Sequence, residues 1–436
     1  MTHPDAPAQT FPPHATARAV GIDFGTSNST AGVSRAGQLL PSLLPLEDGK
    51  VTLPSVVFFH AEDAQVTYGR AGLADYLAGH EGRLMRSLKS LLGTSMIDEQ
   101  TEVAGRSLPF RVLLAQFIGE LKRRAETAAG QPFTQAVLGR PVFFVDGDRE
   151  ADQRAEDTLA GIARATGLKD IAFQYEPIAA AFDYESRIGG EELVLVVDIG
   201  GGTSDFALVR LAPGAAQKAQ KADRRDDILA AGGVHIGGTD FDKYLSLASV
   251  MPTLGLGSQL KSGLQVPSAQ FFNLATWHTI NQAYTRKSWT QIADLARDSA
   301  EPQKLARLQS LVKERSGHWL AMQVEAAKIA LSDVPETVID LDRIARGETL
   351  SLHRADFERA ISHLVDSIGT TITALLADAG VRPDAVDTVF FTGGSSGVPL
   401  LRERISALLP QSRAVEGDLF GSIGAGLALD AARKFG

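Results

Sequence analysis

Residues 22–33, IDFGTSNSTAGV, and residues 197–209, VDIGGGTSDFALV, decide how this 436-residue chain folds. Each is an apolar run closed by an aspartate, then a glycine turn, then a second extended run. Aligned on Asp23 and Asp198, both read apolar–Asp–apolar–Gly with a threonine following, and the second copy adds a further acid, Asp205. Apolar runs joined by a short glycine turn predict β-hairpins. A nucleotide P-loop would send the chain into a helix instead, and Thr30, Ala31, Gly32 and Val33 build no apolar helical face. After a turn at Ala36-Gly37, LLPSLLPL (39–46) predicts a third strand and hence a β-meander. Two such hairpins, far apart in one chain, predict two similar lobes facing each other.

Composition narrows the chemistry. At about 150 residues per domain the length predicts two or three domains. The 43 Lys and Arg against 52 Asp and Glu leave a net charge of −9, with no long basic run, so nucleic acid and anionic membranes are poor partners. No uninterrupted apolar run reaches the 18 or so residues of a membrane-spanning helix. With no cysteine there are no disulfides and no thiolate ligands, and none of the nine histidines forms a helical H-x-x-x-H pair, which argues against zinc. Carboxylates, hydroxyls, lysines and glycine-rich backbone remain to do chemistry.

Outward from the hairpins, residues 1–18 are rich in Pro, Ala and His and read as a disordered tail without secretory character, so the expected location is cytoplasmic. Between the copies, 107–128 and 149–166 predict helices and AVLGRPVFF (136–144) a strand. IAFQYEPIAAAFDYE (171–185) predicts a strand, a turn at Pro177 and an Ala-rich helix. Beyond the second copy, HIGGTDFDKYL (235–245) opens a helix after its glycine pair. Residues 251–318 are irregular and then helical, and hold Trp277 and Trp289. Helices at 319–331, 354–379 and 399–408, a strand at 386–391, a turn Thr392-Gly393-Gly394-Ser395-Ser396-Gly397 and a small-residue helix at 421–435 complete the chain.

Asp23, Asp198 and Asp205 each adjoin a glycine turn at the end of an apolar strand. Such strand ends project polar groups into a crevice between lobes, and bare turn amides favour anions. Carboxylates beside phosphates repel them unless a hard cation intervenes, Mg²⁺ being the natural choice. Thr26, Ser27 and Thr203 supply hydroxyl donors. Together these parts describe a clasp for a magnesium-bound nucleotide. An isolated Asp-Gly turn is ordinarily a plain hairpin; three consecutive glycines between buried strands, in a matched pair, are not, because they lose much backbone entropy on folding.

IDFGTSNS (22–29), VVDIGGGTSDF (196–206) and FFTGGSSGVPLL (390–401) resemble the two phosphate motifs and the adenosine motif of the actin-like ATPase superfamily. YEPIAAAFDY (175–184), GGTDFD (237–242) and EAAKIALS (325–332) resemble the DnaK-type heat-shock chaperones (heat-shock protein 70), in order and spacing, over residues 19–436; the outline is most like the short, YegD-like members. The resemblance implies an α/β actin-like ATPase fold, with two ribonuclease-H-like lobes of mixed five-stranded sheets flanked by helices around a nucleotide cleft. Lobe I would span 19–187, with 417–436 returning to it, and lobe II 188–416, including an enlarged small subdomain at about 225–332.

The same resemblance implies ATP or ADP and Mg²⁺ as cofactors. Asp23, Asp198 and Asp205 would hold the metal through waters, with Glu176 nearby. Thr26, Ser27, Gly201, Gly202 and Thr203 would cradle the β- and γ-phosphates, and Gly25, Asn28, Gly200, Gly237 and Gly238 would also bind the nucleotide. Lys89, in LKSLLG (88–93), would position the attacking water, and Asp198 or Asp205 would accept its proton. Glu325, Lys328 and Ser332 would line the adenosine pocket, with Gly393, Gly394 and Ser395 across from them and Asp418 near the last helix. Read without that context, Lys89 is a surface lysine on a helix.

Three departures stand out. Arginines that flank adenine in the family are replaced here by Gly397 and Ile329. The interval from Asp240 to Glu325, where exchange factors grip, is longer than usual. The sequence stops at Gly436, directly after the closing helix, so the reading expects no peptide-binding β-sandwich and a client or co-chaperone held by the ATPase body of a monomer, at 251–318 if Trp277 and Trp289 are not simply core. A slow chaperone-like ATPase is the leading expectation. A nucleotide-binding scaffold with little hydrolysis, a metabolite kinase and an actin-like filament protein are the alternatives. A kinase needs a further catalytic Asp in the first lobe, and none is evident beyond the phosphate motifs.

Overall fold

The structure is a computed structural model that describes residues 17–35, 40–62, 65–103, 105–213 and 227–436; most of the 1–18 tail and the turn expected at Ala36-Gly37 lie outside the described residues. Ala17 is buried, and its carbonyl accepts a hydrogen bond from the Gln131 side chain.

In the first lobe the main sheet holds β1 (Val20–Asp23), β2 (Asn28–Val33), β3 (Ser42–Leu43), β4 (Gln135–Arg140) and β5 (Asp170–Tyr175), ordered β5-β4-β1-β2-β3, and Thr52–Pro54 adds to β2. In the second, β6 (Glu192–Ile199), β7 (Ser204–Leu211), β8 (Ile228–Val234), β9 (Thr388–Thr392) and β10 (Arg413–Glu416) run in the order β8-β7-β6-β9-β10. Both sheets have an antiparallel trio (β1-β2-β3; β6-β7-β8) whose first strand continues into two parallel strands (β4, β5; β9, β10). Strand for strand the two arrangements coincide, as the repeated hairpin implies, and with their flanking helices they form the actin-like ATPase fold.

Strand β6 shows why its run is apolar at every position. Leu193, Leu195, Val197 and Ile199 face the core of the second lobe, while Val194 and Val196 face a separate core between the lobes. Successive side chains leave opposite faces of a strand, so a sheet covered on both sides needs both sets apolar. The middle core is filled by two helices, Glu176–Glu185, every residue of which is buried, and Ser422–Phe435. They touch through small residues: a Cβ on Gly426 would lie 1.7 Å from the Ala179 carbonyl oxygen, so only glycine fits.

The expected strand at 136–144 is shorter, ending at Arg140. Pro141 has no N–H to offer a ladder, and the next amide, Val142, donates instead to Asp205 in the other lobe at 2.6 Å. Pro177 sits in the first turn of helix 176–185 rather than in a turn before it, where its missing N–H is harmless. Residues 251–318 form short helices, including Arg286–Asp298 and Pro302–Lys313; Trp277 is buried in the core of the second lobe, and Trp289 is exposed.

Helix Arg354–Asp378 is long and apolar enough to cross a membrane by length and composition, a segment that the search for uninterrupted apolar runs passes over. Its apolar residues Phe357, Ile361, Leu364, Val365, Ile368, Ile372, Leu375 and Leu376 are buried in the second lobe's core, while Arg359, His363, Asp366 and Thr370 face outward. That one-sided stripe is the pattern of a core helix.

Candidate functional site

The two hairpin turns meet. Asp23 closes β1 and lies opposite Thr30; Asp198 is near the end of β6 and lies opposite Asp205. Between them the turns are in contact: a Cβ on Gly201 would sit 2.4 Å from Ser27 Oγ, so the glycine is what lets the second turn approach the first. Helix Gly238–Leu245 fastens the second turn, with the amides of Gly238 and Thr239 donating to the carbonyls of Gly200 and Gly201 at 2.9 and 2.8 Å. Ser55 Oγ donates to the Gly25 carbonyl at 2.7 Å and fastens the first. One cavity is lined by Asp23, Gly25, Thr26, Ser27, Asn28, Lys89, Glu176, Asp198, Gly200, Gly201, Gly202, Thr203, Gly238, Glu325, Lys328, Gly393, Gly394 and Ser395, all expected from the sequence.

Beneath the turns lie four buried carboxyl groups and one lysine. Ligand oxygens of Glu176, Asp198 and Asp205 lie within 4.8 Å of one another, and Asp23 borders the same cavity. Lys89 stands on a short turn, Leu88–Leu91, entered through Ser87 at φ +59°, and its Nζ lies 2.5 Å from Glu176 Oε1. At 7% exposure it is not the surface lysine that its local sequence suggests. Burial and the Glu176 charge push the Asp23 carboxyl up to about 7, with Lys89 opposing. Burial and Glu176 also take Asp205 to about 7, against its bonds from Thr203 and Val142, and raise Asp198 well above the carboxylate range. Lys89 is raised: burial opposes its charge, and Glu176 and Asp23 outweigh it.

Asp23 Oδ1, Asp198 Oδ1 and Asp205 Oδ2 are buried without a hydrogen-bond partner among the described residues. Buried carboxylates with one lysine among them either take up protons or hold a cation. All-oxygen donors with free lone pairs suit Mg²⁺, so the residues present fit the metal. The group whose oxygens converge most closely includes Glu176, with Asp23 at its edge, a different emphasis from the trio Asp23, Asp198 and Asp205 read from the sequence.

Four expected residues do not line the cavity. Asp205 lies under it, bound to Val142 N; Gly237 abuts the Gly201–Gly202 backbone; Ser332 Oγ donates to Lys328 O at 3.4 Å; and Asp418 accepts from Phe420 N at 3.1 Å. Leu419, Phe420 and Ile423 do line it, and sequence reasoning missed them; the apolar pair Leu419-Phe420 next to a glycine is the only signal they give. Ile329 lines it too and is exposed, and a Cβ on Gly397 would meet nothing within 4 Å, so the two expected arginines are replaced by an apolar stem and open space.

The lobes also touch beyond the cavity. Tyr76 Oη donates to the Arg315 carbonyl and accepts from Trp319 N, both at 3.0 Å. Arg86, at the end of strand Gly82–Arg86, binds Glu325 on helix Gly317–Asp333 and lies 4.3 Å above the Trp277 ring. His318 is buried beside Tyr76 and Trp277, its Nε2 without a partner among the described residues.

A sequence model of the Hsp70 protein family matches residues 19–115, 100–250 and 299–432. The chain belongs to the Hsp70 family. Members of the Hsp70 family are ATPases that bind ATP and ADP with Mg²⁺ and work with client proteins and co-chaperones. The Hsp70 match leaves residues 251–298 uncovered, within the interval that the sequence marks as longer than usual.

Proposed function

We propose that this Hsp70-family chain is a slowly hydrolysing, chaperone-like ATPase that binds Mg-ATP where its two hairpin turns meet. The observation that carries the reading is the pairing of matched Asp hairpins, from two topologically equivalent sheets, around unpartnered carboxylate oxygens and the Lys89–Glu176 pair. Asp23, Asp198 and Asp205, with Glu176, would hold the metal. Thr26, Ser27, Gly201, Gly202 and Thr203 donate to the terminal phosphates. When bound, Mg²⁺ neutralises charge on the departing phosphoryl group, a reaction that needs positioning and cations more than a nucleophile on the protein. Lys89 orients the attacking water, and Asp198 or Asp205 receives its proton. Glu325, Lys328 and the Gly393–Ser395 turn hold the nucleoside.

The same reading divides the chain into lobe I (19–187, joined by 417–436) and lobe II (188–416). It places the protein in the cytoplasm as a monomer whose client or co-chaperone contacts the ATPase body. ATP draws the lobes together and hydrolysis relaxes them, changing the surface a partner meets.

The test is phosphate release by the purified chain with Mg-ATP and no acceptor, repeated with EDTA. Slow, metal-dependent turnover is expected. Turnover only with an added acceptor identifies a kinase, and tight binding without turnover a scaffold, which Gly397 and Ile329 favour as the second reading. Absence of nucleotide binding overturns the proposal.

A further inference from the structure

We infer that Phe420 is the platform on which the nucleobase stacks, and that the site therefore accepts purines with little discrimination between them; the inference rests on the nucleotide reading above. Phe420 lines the same cavity as the carboxylates and is 48% exposed. One edge of its ring is occupied: a Cβ on Gly394 would lie 2.8 Å from Phe420 Cε1, so the ring edge abuts the bare backbone of the turn after β9. Its loop is pinned, since the Phe420 amide donates to Asp418 Oδ1 at 3.1 Å and Gly421 N to Asp418 O at 3.3 Å. A ring carried on a pinned loop, held at one edge and left open to a ligand cavity, offers a stacking surface.

The cavity lining combines the two characters a nucleotide needs: carboxylates, hydroxyls and glycine amides, together with the apolar Phe420, Leu419, Ile329 and Ile423. No cation competes for the aromatic role. Among the described residues the lining holds two, Lys89 and Lys328, and both are engaged, with Glu176 and Asp242. Stacking on an aromatic face is tolerant of base identity because every base has a π-face. Affinity for the base then comes from apolar overlap, and guanine is held about as well as adenine.

Binding of Mg-ATP, Mg-GTP and Mg-tripolyphosphate to the full chain and to Phe420→Ala, by calorimetry, separates the contributions. Wild-type protein is expected to bind ATP and GTP within about threefold of each other. Phe420→Ala is expected to weaken both by about tenfold or more and to leave tripolyphosphate unchanged. Phe420→Trp supplies a readout that a packing role does not give: its added fluorescence is quenched by ATP and not by tripolyphosphate. Unaltered ATP affinity in Phe420→Ala, equal loss of tripolyphosphate, no ATP quench in Phe420→Trp, or strong rejection of GTP overturns the platform. Failure of wild-type protein to bind any of the three overturns the nucleotide reading itself.

Discussion

Arg86 Nη1 and Nη2 each meet a different carboxylate oxygen of Glu325, both at 2.6 Å, although the residues lie 239 positions apart and on different lobes. Arg86 is nearly buried and Glu325 largely so, which makes the pair a fork-on-fork bridge shielded from water. Its geometry suits only a guanidinium. Burial, which would raise the Glu325 carboxyl, is outweighed by Arg86, and the carboxyl is lowered overall.

Removing the bridge should hasten escape of the nucleotide. Truncating one partner of a shielded, hydrogen-bonded charge pair acts mainly on dissociation. Stopped-flow release of a fluorescent ATP analogue should speed up by about tenfold in Arg86→Ala, with association little altered. Arg86→Lys, which keeps the charge and loses the fork, should fall between them.

Lys89→Ala should bind Mg-ATP and lose most turnover. Deleting one positioned charge that acts on the transition state costs about 2–4 kcal/mol in the barrier, roughly 30- to 1000-fold in rate. Single-turnover phosphate release is the measurement, and an unchanged rate removes Lys89 from the chemistry.

Asp198→Asn should weaken nucleotide binding in Mg²⁺ and leave binding in EDTA unchanged, because without metal burial and Glu176 already favour the protonated Asp198 carboxyl, which the amide mimics. Titrations of labelled ATP under both conditions decide it. Equal loss in both would assign Asp198 a structural role.

His318 should limit acid stability. Burial, with the Arg83 and Arg86 charges adding to it, lowers its ring to about 3 from the ordinary 6.5. The unfolded chain therefore binds a proton that the folded one refuses. The stabilisation is fully present above pH 6.5 and erodes as pH falls from there towards 3, by at most about 1.4 kcal/mol per unit. Denaturant midpoints at pH 7 and pH 5 should converge in His318→Gln relative to wild type.

The paired hairpins were legible because glycine turns and unbroken apolar runs are local properties of a few residues, written twice. Asp23, Asp198 and the glycines of both turns follow from that pattern alone. Lys89 was not: its own neighbours suggest a surface helix, and only the fold brings Glu176 to it. The same holds for Arg86 with Glu325 and for Tyr76 with Trp319, since no sequence period relates partners more than two hundred positions apart. Phe420 was hidden for the opposite reason. An apolar residue in a short loop reads as filler until the structure leaves its ring uncovered. The membrane-length helix 354–378 shows the converse, since a scan for uninterrupted apolar runs passes over it, and mean hydropathy sees its length and composition without its two faces.

Helix Ser422–Phe435 lies along the first lobe's strands although it is made after the whole of the second. During synthesis the amino-terminal sheet must wait, with Gly21 and Gly32 bare where Ala428 and Gly424 later settle against them. Packing of the first lobe's sheet is therefore completed by the last element of the chain to be synthesised.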